Sequence, residues 1–224
     1  MPNSTTRRAV LTGAAAAAAV SLTSTRAGAQ TPGGRFQPAR HSQDEWLDTV
    51  PGKHRTFIDC ASVNAGGAGI LYANNLYVAN AKGYQLKEAD VAVVVCLRHF
   101  ATIFAFNDVI WGKYGQALSE AVTFTDPKTK LAPTKNLLDD ASYSQLPNGG
   151  FTIASVVKRG TQFAVCDMAT NMLAGVVATS TKGVQESVYQ EFVRNLIPNS
   201  HLMAAGVVAV NRAQEYGYTL LTAI

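Results

Sequence analysis

The sequence predicts an α/β fold: one doubly wound domain with a mostly parallel sheet covered on both faces. Three observations carry this. Short β-branched runs alternate with longer segments of helical period, the pattern of strand–helix–strand units. Val91-Ala92-Val93-Val94-Val95-Cys96 is a continuous apolar run, as expected of a strand buried on both faces. The 224 residues are 47% hydrophobic and 15% charged, which suits one globular domain and excludes wholesale disorder. A β-sandwich would need many short alternating strands, and these are missing.

The elements follow in order. Residues 54–60 read as a strand and residues 66–82 as a helix stopped at Gly83. Residues 90–97 form the buried strand, and residues 104–122 a long helix despite Gly112 and Gly115. Residues 125–150 carry Pro127, Pro133, Pro147 and Gly149-Gly150, so they predict an irregular crossover with a short helix near 135–141. A helix over 151–159, a strand over 161–166 and a helix over 168–179 come next. Val184, Val188, Phe192 and Leu196 recur every four residues, giving an amphipathic helix over 185–196 that Pro198 ends. A strand over 201–205, a helix over 207–216 and a strand over 218–223 complete five strands.

Residues 1–29 read as a targeting segment. Arg7-Arg8 precedes a mildly apolar, alanine-rich run and the small-residue cleavage pattern Ala27-Gly28-Ala29. Thr6-Arg7-Arg8-Ala9-Val10-Leu11 resembles a twin-arginine export signal, departing from it at Val10 and Thr12. An ordinary secretory signal and an uncleaved apolar anchor are the alternatives. The expected address is the periplasm, with no transmembrane span in the mature chain. Residues 30–52 are rich in Pro, Gly and polar side chains and predict a flexible lead-in, with a short helical turn over 43–47. The domain proper is expected over 53–224. The formal charge of +4 loses Arg7, Arg8 and Arg26 with the signal, leaving sixteen basic against fifteen acidic residues. No basic stripe remains, so nucleic acid is not an expected partner.

Cys60, Cys96 and Cys166 each fall at the carboxyl end of an expected strand, the edge where open α/β sheets bind ligands. Cys166 also opens a helix, whose free N–H groups favour thiolate, while Asp167 beside it opposes this. The plainer reading makes Cys60 and Cys96 small buried hydrophobes. A Cys60–Cys96 disulfide requires neighbouring strands with suitable Cα spacing. Arg98 and His99 follow the buried strand and belong on the same edge. Arg98 could clamp an anion or pair structurally with Asp108, and His99 could move a proton, bind a metal or serve as a loop residue. Trp111 and Tyr114 have the spacing of core residues. Gly66-Gly67-Ala68-Gly69 matches neither phosphate-loop pattern, no zinc-ligand spacing occurs, and there is no Gly-x-Ser-x-Gly elbow.

Three segments carry a family resemblance: Val94-Val95-Cys96-Leu97-Arg98-His99 with Ala105-Phe106-Asn107-Asp108-Val109-Ile110-Trp111-Gly112-Lys113-Tyr114-Gly115; Val157 to Thr170 around Phe163-Ala164-Val165-Cys166-Asp167-Met168; and the tail from Leu202 to Tyr218. Together they resemble an exported branch of the DsrE-like family. The resemblance implies a three-layer α/β/α fold with a mainly parallel five-stranded sheet and assembly as a trimer or hexamer. It also implies a sulfur-relay role in which Cys166 carries persulfide and passes it between a donor and an acceptor protein. Arg98, His99, Asn107 and Trp111 belong to the exported branch; Arg98, His99, Asn107, Cys60 and Cys96 are the expected binding residues, with Cys166 the expected persulfide-bearing thiol. The function expected is therefore a periplasmic, sulfurtransferase-like sulfur carrier. The alternatives are a non-enzymatic module for a small ligand, metal or haem, and a subunit of a larger periplasmic assembly.

Overall fold

Every residue of β2, Val91–Leu97, is buried, and the sheet is built outward from it. The computed structural model describes residues 37–224. The expected signal segment lies outside the described residues, as does the start of the lead-in. β2 pairs in parallel with β1, His54–Cys60, and with β3, Gln162–Cys166. β4, Ser200–Met203, pairs with β3, and β5, Thr219–Thr222, pairs with β1. The resulting order is β4-β3-β2-β1-β5 and every pairing is parallel. The α/β class is thus the observed one, with a sheet wholly rather than mainly parallel.

Alternation along the strands divides the core. Val91, Val93, Val95 and Leu97 join one apolar cluster, whereas Ala92, Val94 and Cys96 join a second on the opposite face. The first face is covered by α2 (Val63–Tyr84), α3 (Asp108–Val122), α5 (Asp167–Thr181) and α6 (Gln185–Arg194). A short α4 (Ile153–Val157) adds Ile153 and Val156 to it. The second face is covered by α7 (Gly206–Glu215), through Ala209 and Ala213. Connections from β1 to β4 therefore run over one face, and the return from β4 to β5 crosses the other. The change of face falls between the carboxyl ends of β3 and β4, where open α/β sheets leave a crevice.

One local expectation changes. The helix expected over 104–122 is split: His99–Ala105 is a 3-10 segment and α3 begins only at Asp108. Asn107 caps α3, its side-chain oxygen accepting the Val109 N–H at 3.0 Å, and the cap overrides the apolar period upstream. The Gly66-Gly67-Ala68-Gly69 run lies in the helix expected over 66–82, which begins slightly earlier, at Val63, and is capped by Ser62. It gives close packing: a Cβ on Gly69 would lie 2.5 Å from the Cys60 sulfur.

The lead-in also differs from expectation. Ser42–Asp44 is a 3-10 turn and α1 spans Trp46–Thr49. Leu47 is fully buried and Val50 nearly so, packed with Phe57, Ala92 and Val94 in the second cluster. The physical reason is that α7 alone does not cover that face. The segment is pinned by the Tyr218 hydroxyl, which donates to the Leu47 carbonyl at 2.9 Å, and by Arg55 Nη2, which donates to the carbonyls of Asp48 and Val50 at 3.1 Å. Leu47→Ala is expected to cost about 2–4 kcal/mol, read as a fall in the denaturation midpoint. A strap that only lay on the surface would show almost no change.

Trp46 adds a pH-sensitive contact. Its ring stacks on His201 of β4 with centroids 3.8 Å apart and planes parallel. His201 Nε2 also lies 3.1 Å from Gln162 Oε1. Partial burial holds the imidazole below its ordinary range. The folded state therefore takes up a proton later than the unfolded state does. Stability is expected to be full above the unfolded value of about 6.5 and to decline as pH falls through it. Denaturation midpoints measured across this range should fall less steeply in His201→Gln. Equal slopes for the two proteins would remove His201 from the account.

No helix among the described residues is long and apolar enough to cross a membrane.

Candidate thiol site at the carboxyl edge of the sheet

Cys166 ends β3 and is also the N-cap of α5. Its sulfur accepts the Ala169 N–H at 3.4 Å, and its carbonyl accepts the Thr170 hydroxyl at 2.9 Å. The thiol thus occupies a place that serine, threonine or aspartate more often fills. The register that sets Leu97 opposite Val165 makes Arg98 and Cys166 the next positions along their strands. Both line a cavity of about 530 Å³ at the carboxyl edge of the sheet. His99 and Phe100 wall it from the β2 side, Met168, Ala169 and Met172 from α5, and Ala205, Gly206 and Val207 from the start of α7. The cavity lies at the crevice where the chain changes face.

Arg98 is not free to clamp an anion by itself. Its Nε and Nη2 donate to the two Asp59 carboxylate oxygens at 2.6 and 2.8 Å, a bidentate pair at the edge of the second core. The partner is Asp59, not Asp108, which instead accepts the Asn136 N–H at 2.8 Å. The stem of Arg98 lies against Gly206, where any Cβ would collide with it. That close approach sets the distance between α7 and β2. His99 is exposed, stacks on Phe100 with centroids 4.0 Å apart, and has φ 52. A non-glycine residue in the left-handed region stores backbone strain at the cavity rim.

The other cysteines part company with Cys166. Register pairs Cys60 with Leu97 and Cys96 with Asp59, so the two thiols point to opposite faces. The disulfide that neighbouring strands would allow is therefore excluded by direction, and all three cysteines are free. Cys60 lies under Gly69, and Cys96 contacts the Gly206 carbonyl at 3.9 Å. Both are fully enclosed, and burial pushes both thiols well above their ordinary range. Neither reaches the cavity. Asn107 is also elsewhere: it caps α3, donates to the Asn195 side chain at 3.3 Å, and borders a different cavity with Asp108 and Ile197. Trp111 and Tyr114 are core. Of the six expected site residues, the fold brings together Cys166, Arg98 and His99.

Asp167 is turned away from its cysteine. Its carboxylate accepts the Tyr189 hydroxyl at 2.7 Å, an interaction that pushes Tyr189 up to about 12. Among the described residues, no three His, Cys, Asp or Glu side chains gather as metal ligands. Sequence reasoning missed the apolar walls and the Asp59 partner. Asp59 carried a signal, as the one acid in an otherwise apolar stretch of strand. Met168 and Met172 were separated by one helical turn, yet nothing local said that this face was the open one.

No protein-family model matches the chain, and no curated protein matches it.

Proposed function

We propose that the protein is an exported, DsrE-like sulfur carrier in which Cys166 holds sulfane sulfur as a persulfide. The observation that carries this reading is the contrast among the three thiols. Cys166 alone borders a cavity, and it does so at a helix N-terminus. In the proposed step the Cys166 thiolate attacks the outer sulfur of a donor persulfide, R–S–SH. A bond forms between the two sulfurs, the donor S–S bond breaks, and R–S⁻ leaves with the electron pair. Cys166–S–SH remains, and attack by an acceptor thiolate on its outer sulfur reverses the loading. The Ala169 N–H and the positive end of α5 stabilise negative charge on the sulfur. Arg98 and His99 stand at the same cavity, with Arg98 fixed in place by Asp59.

The export-signal pattern of residues 1–29 supports the periplasmic address, and the resemblance to the DsrE-like family supports assembly as a trimer or hexamer; both belong to this proposal. Its test is mass spectrometry of the full chain after incubation with a persulfide donor. One added sulfur on Cys166, absent in Cys166→Ala, is expected. A Cys166 that stays unmodified overturns the reading.

A further inference from the structure

We infer that the donor or acceptor served by Cys166 is a low-molecular-weight thiol species carried on an apolar alkyl or aralkyl tail, rather than a small inorganic anion. The inference rests on the sulfur-carrier reading and names the substrate class for the same site. Its first support is the cavity, whose volume of about 530 Å³ is in the small-molecule range. Its second is the gradient of exposure from floor to rim. Cys166 is only 7% exposed, whereas Phe100 is 36%, Met172 41%, Val207 64% and Met168 69% exposed. A reacting sulfur must pass these apolar side chains to reach the thiol, so it has to sit at the end of a slender body that they can solvate. Its third support is electrostatic. Arg98, the permanently charged side chain on the wall, already has its charge matched by the bidentate Asp59 carboxylate. An incoming anion would lose its water among methionine and phenylalanine with no unmatched arginine to receive it.

Methionine suits this task. Its unbranched, polarisable side chain adapts to different apolar shapes, and its sulfur contacts aromatic rings favourably. Met168 and Met172 lie one turn apart on the same side of α5, opposite Val207 at the start of α7.

The test is a series of alkyl methanethiosulfonates on the folded, full chain. In this reaction the Cys166 thiolate forms a disulfide with the alkyl-bearing sulfur, and methanesulfinate leaves with the electron pair. Methyl, propyl, pentyl and benzyl reagents are compared with an anionic sulfonatoethyl reagent. Each rate at Cys166 is divided by the rate with free cysteine to remove intrinsic reactivity. The normalised rate is expected to rise roughly two- to fourfold per methylene along the alkyl series, close to the transfer increment for a buried methylene. The sulfonatoethyl reagent should be the slowest. Met172→Asp, on the half-open wall of the cavity, should flatten the series, bringing the ratio of the pentyl to the methyl normalised rate toward one. A flat series in the native protein, or a fastest sulfonatoethyl reagent, overturns the inference and leaves Cys166 as a reactive thiol serving a charged or protein-borne donor. An unchanged gradient in Met172→Asp also overturns it. If no reagent modifies Cys166 until the chain is denatured, the sulfur-carrier reading falls as well.

Discussion

In the native protein, a thiol reagent is expected to label Cys166 and to leave Cys60 and Cys96 untouched. The difference follows from position. Cys166 borders an open cavity, while Cys60 and Cys96 are sealed within the two cores on opposite faces of the sheet. A reagent reaches the sealed thiols only when the surrounding structure opens. For a domain of ordinary stability, that opening lowers the rate by at least about a thousandfold. Labelling should therefore give one fast equivalent, removed by Cys166→Ser, and three equivalents after denaturation, matching the three cysteines of the chain. Peptide mass spectrometry assigns each label. Fast native labelling of Cys60 or Cys96 would contradict the packing described above. Because Cys166 caps α5 with its sulfur, Cys166→Ser should keep the helix, since a serine hydroxyl can accept the same Ala169 N–H.

The Asp59–Arg98 pair supplies the second large effect. Asp59 is mostly buried and each of its oxygens accepts one guanidinium N–H. Arg98→Ala leaves that carboxylate enclosed without its cation and removes the stem that packs on Gly206. The expected loss is about 2–4 kcal/mol, lowered from the fully buried case because the arginine is partly open to solvent. Asp59→Ala should cost less, since the freed guanidinium can turn toward water at the rim. The double variant should be more stable than the sum of the two losses predicts. Urea denaturation of the four proteins measures this coupling, and strict additivity would show that the pair contributes nothing as a pair. The Cys166 labelling rate in Arg98→Ala separates a site effect from loss of fold. A change in rate at conditions where the variant is fully folded places Arg98 in the site's electrostatics.

Local pattern was enough wherever one segment's own residues decided its state. The run Val91 to Cys96 has no polar position to turn outward, so only a strand buried on both faces suits it. β1 falls on the same residues that its sequence pattern outlined, and Cys166 sits at the strand-to-helix junction expected of it. The 104–122 helix shows where local pattern misleads. Phe104, Phe106, Ile110 and Trp111 have a helical spacing, yet Asn107 starts a new helix, and Phe106 forms a bridge to Leu196. An N-cap is a local signal too, but here it competes with an apolar period that spans it.

Distances between segments were a different matter. The three cysteines share one address in the sequence, the carboxyl ends of strands, but strand register sends Cys60 to one face and Cys96 to the other. A shift of one residue reverses a side chain's face, and no feature within a single strand fixes that shift. The same holds for Arg98, which bonds to a carboxylate 39 positions away, and for Leu47, whose burial depends on a face that α7 leaves partly bare. The sequence by itself determined the α/β class, the order of strands and helices along the chain, and the cysteine at the mouth of α5. Tertiary structure alone decided which thiol opens to a cavity, which charge Arg98 answers, and how apolar that cavity is. Periodicity records how a residue relates to its own helix or strand, whereas a site is made from residues of several elements, and their meeting is set by pairing register and packing.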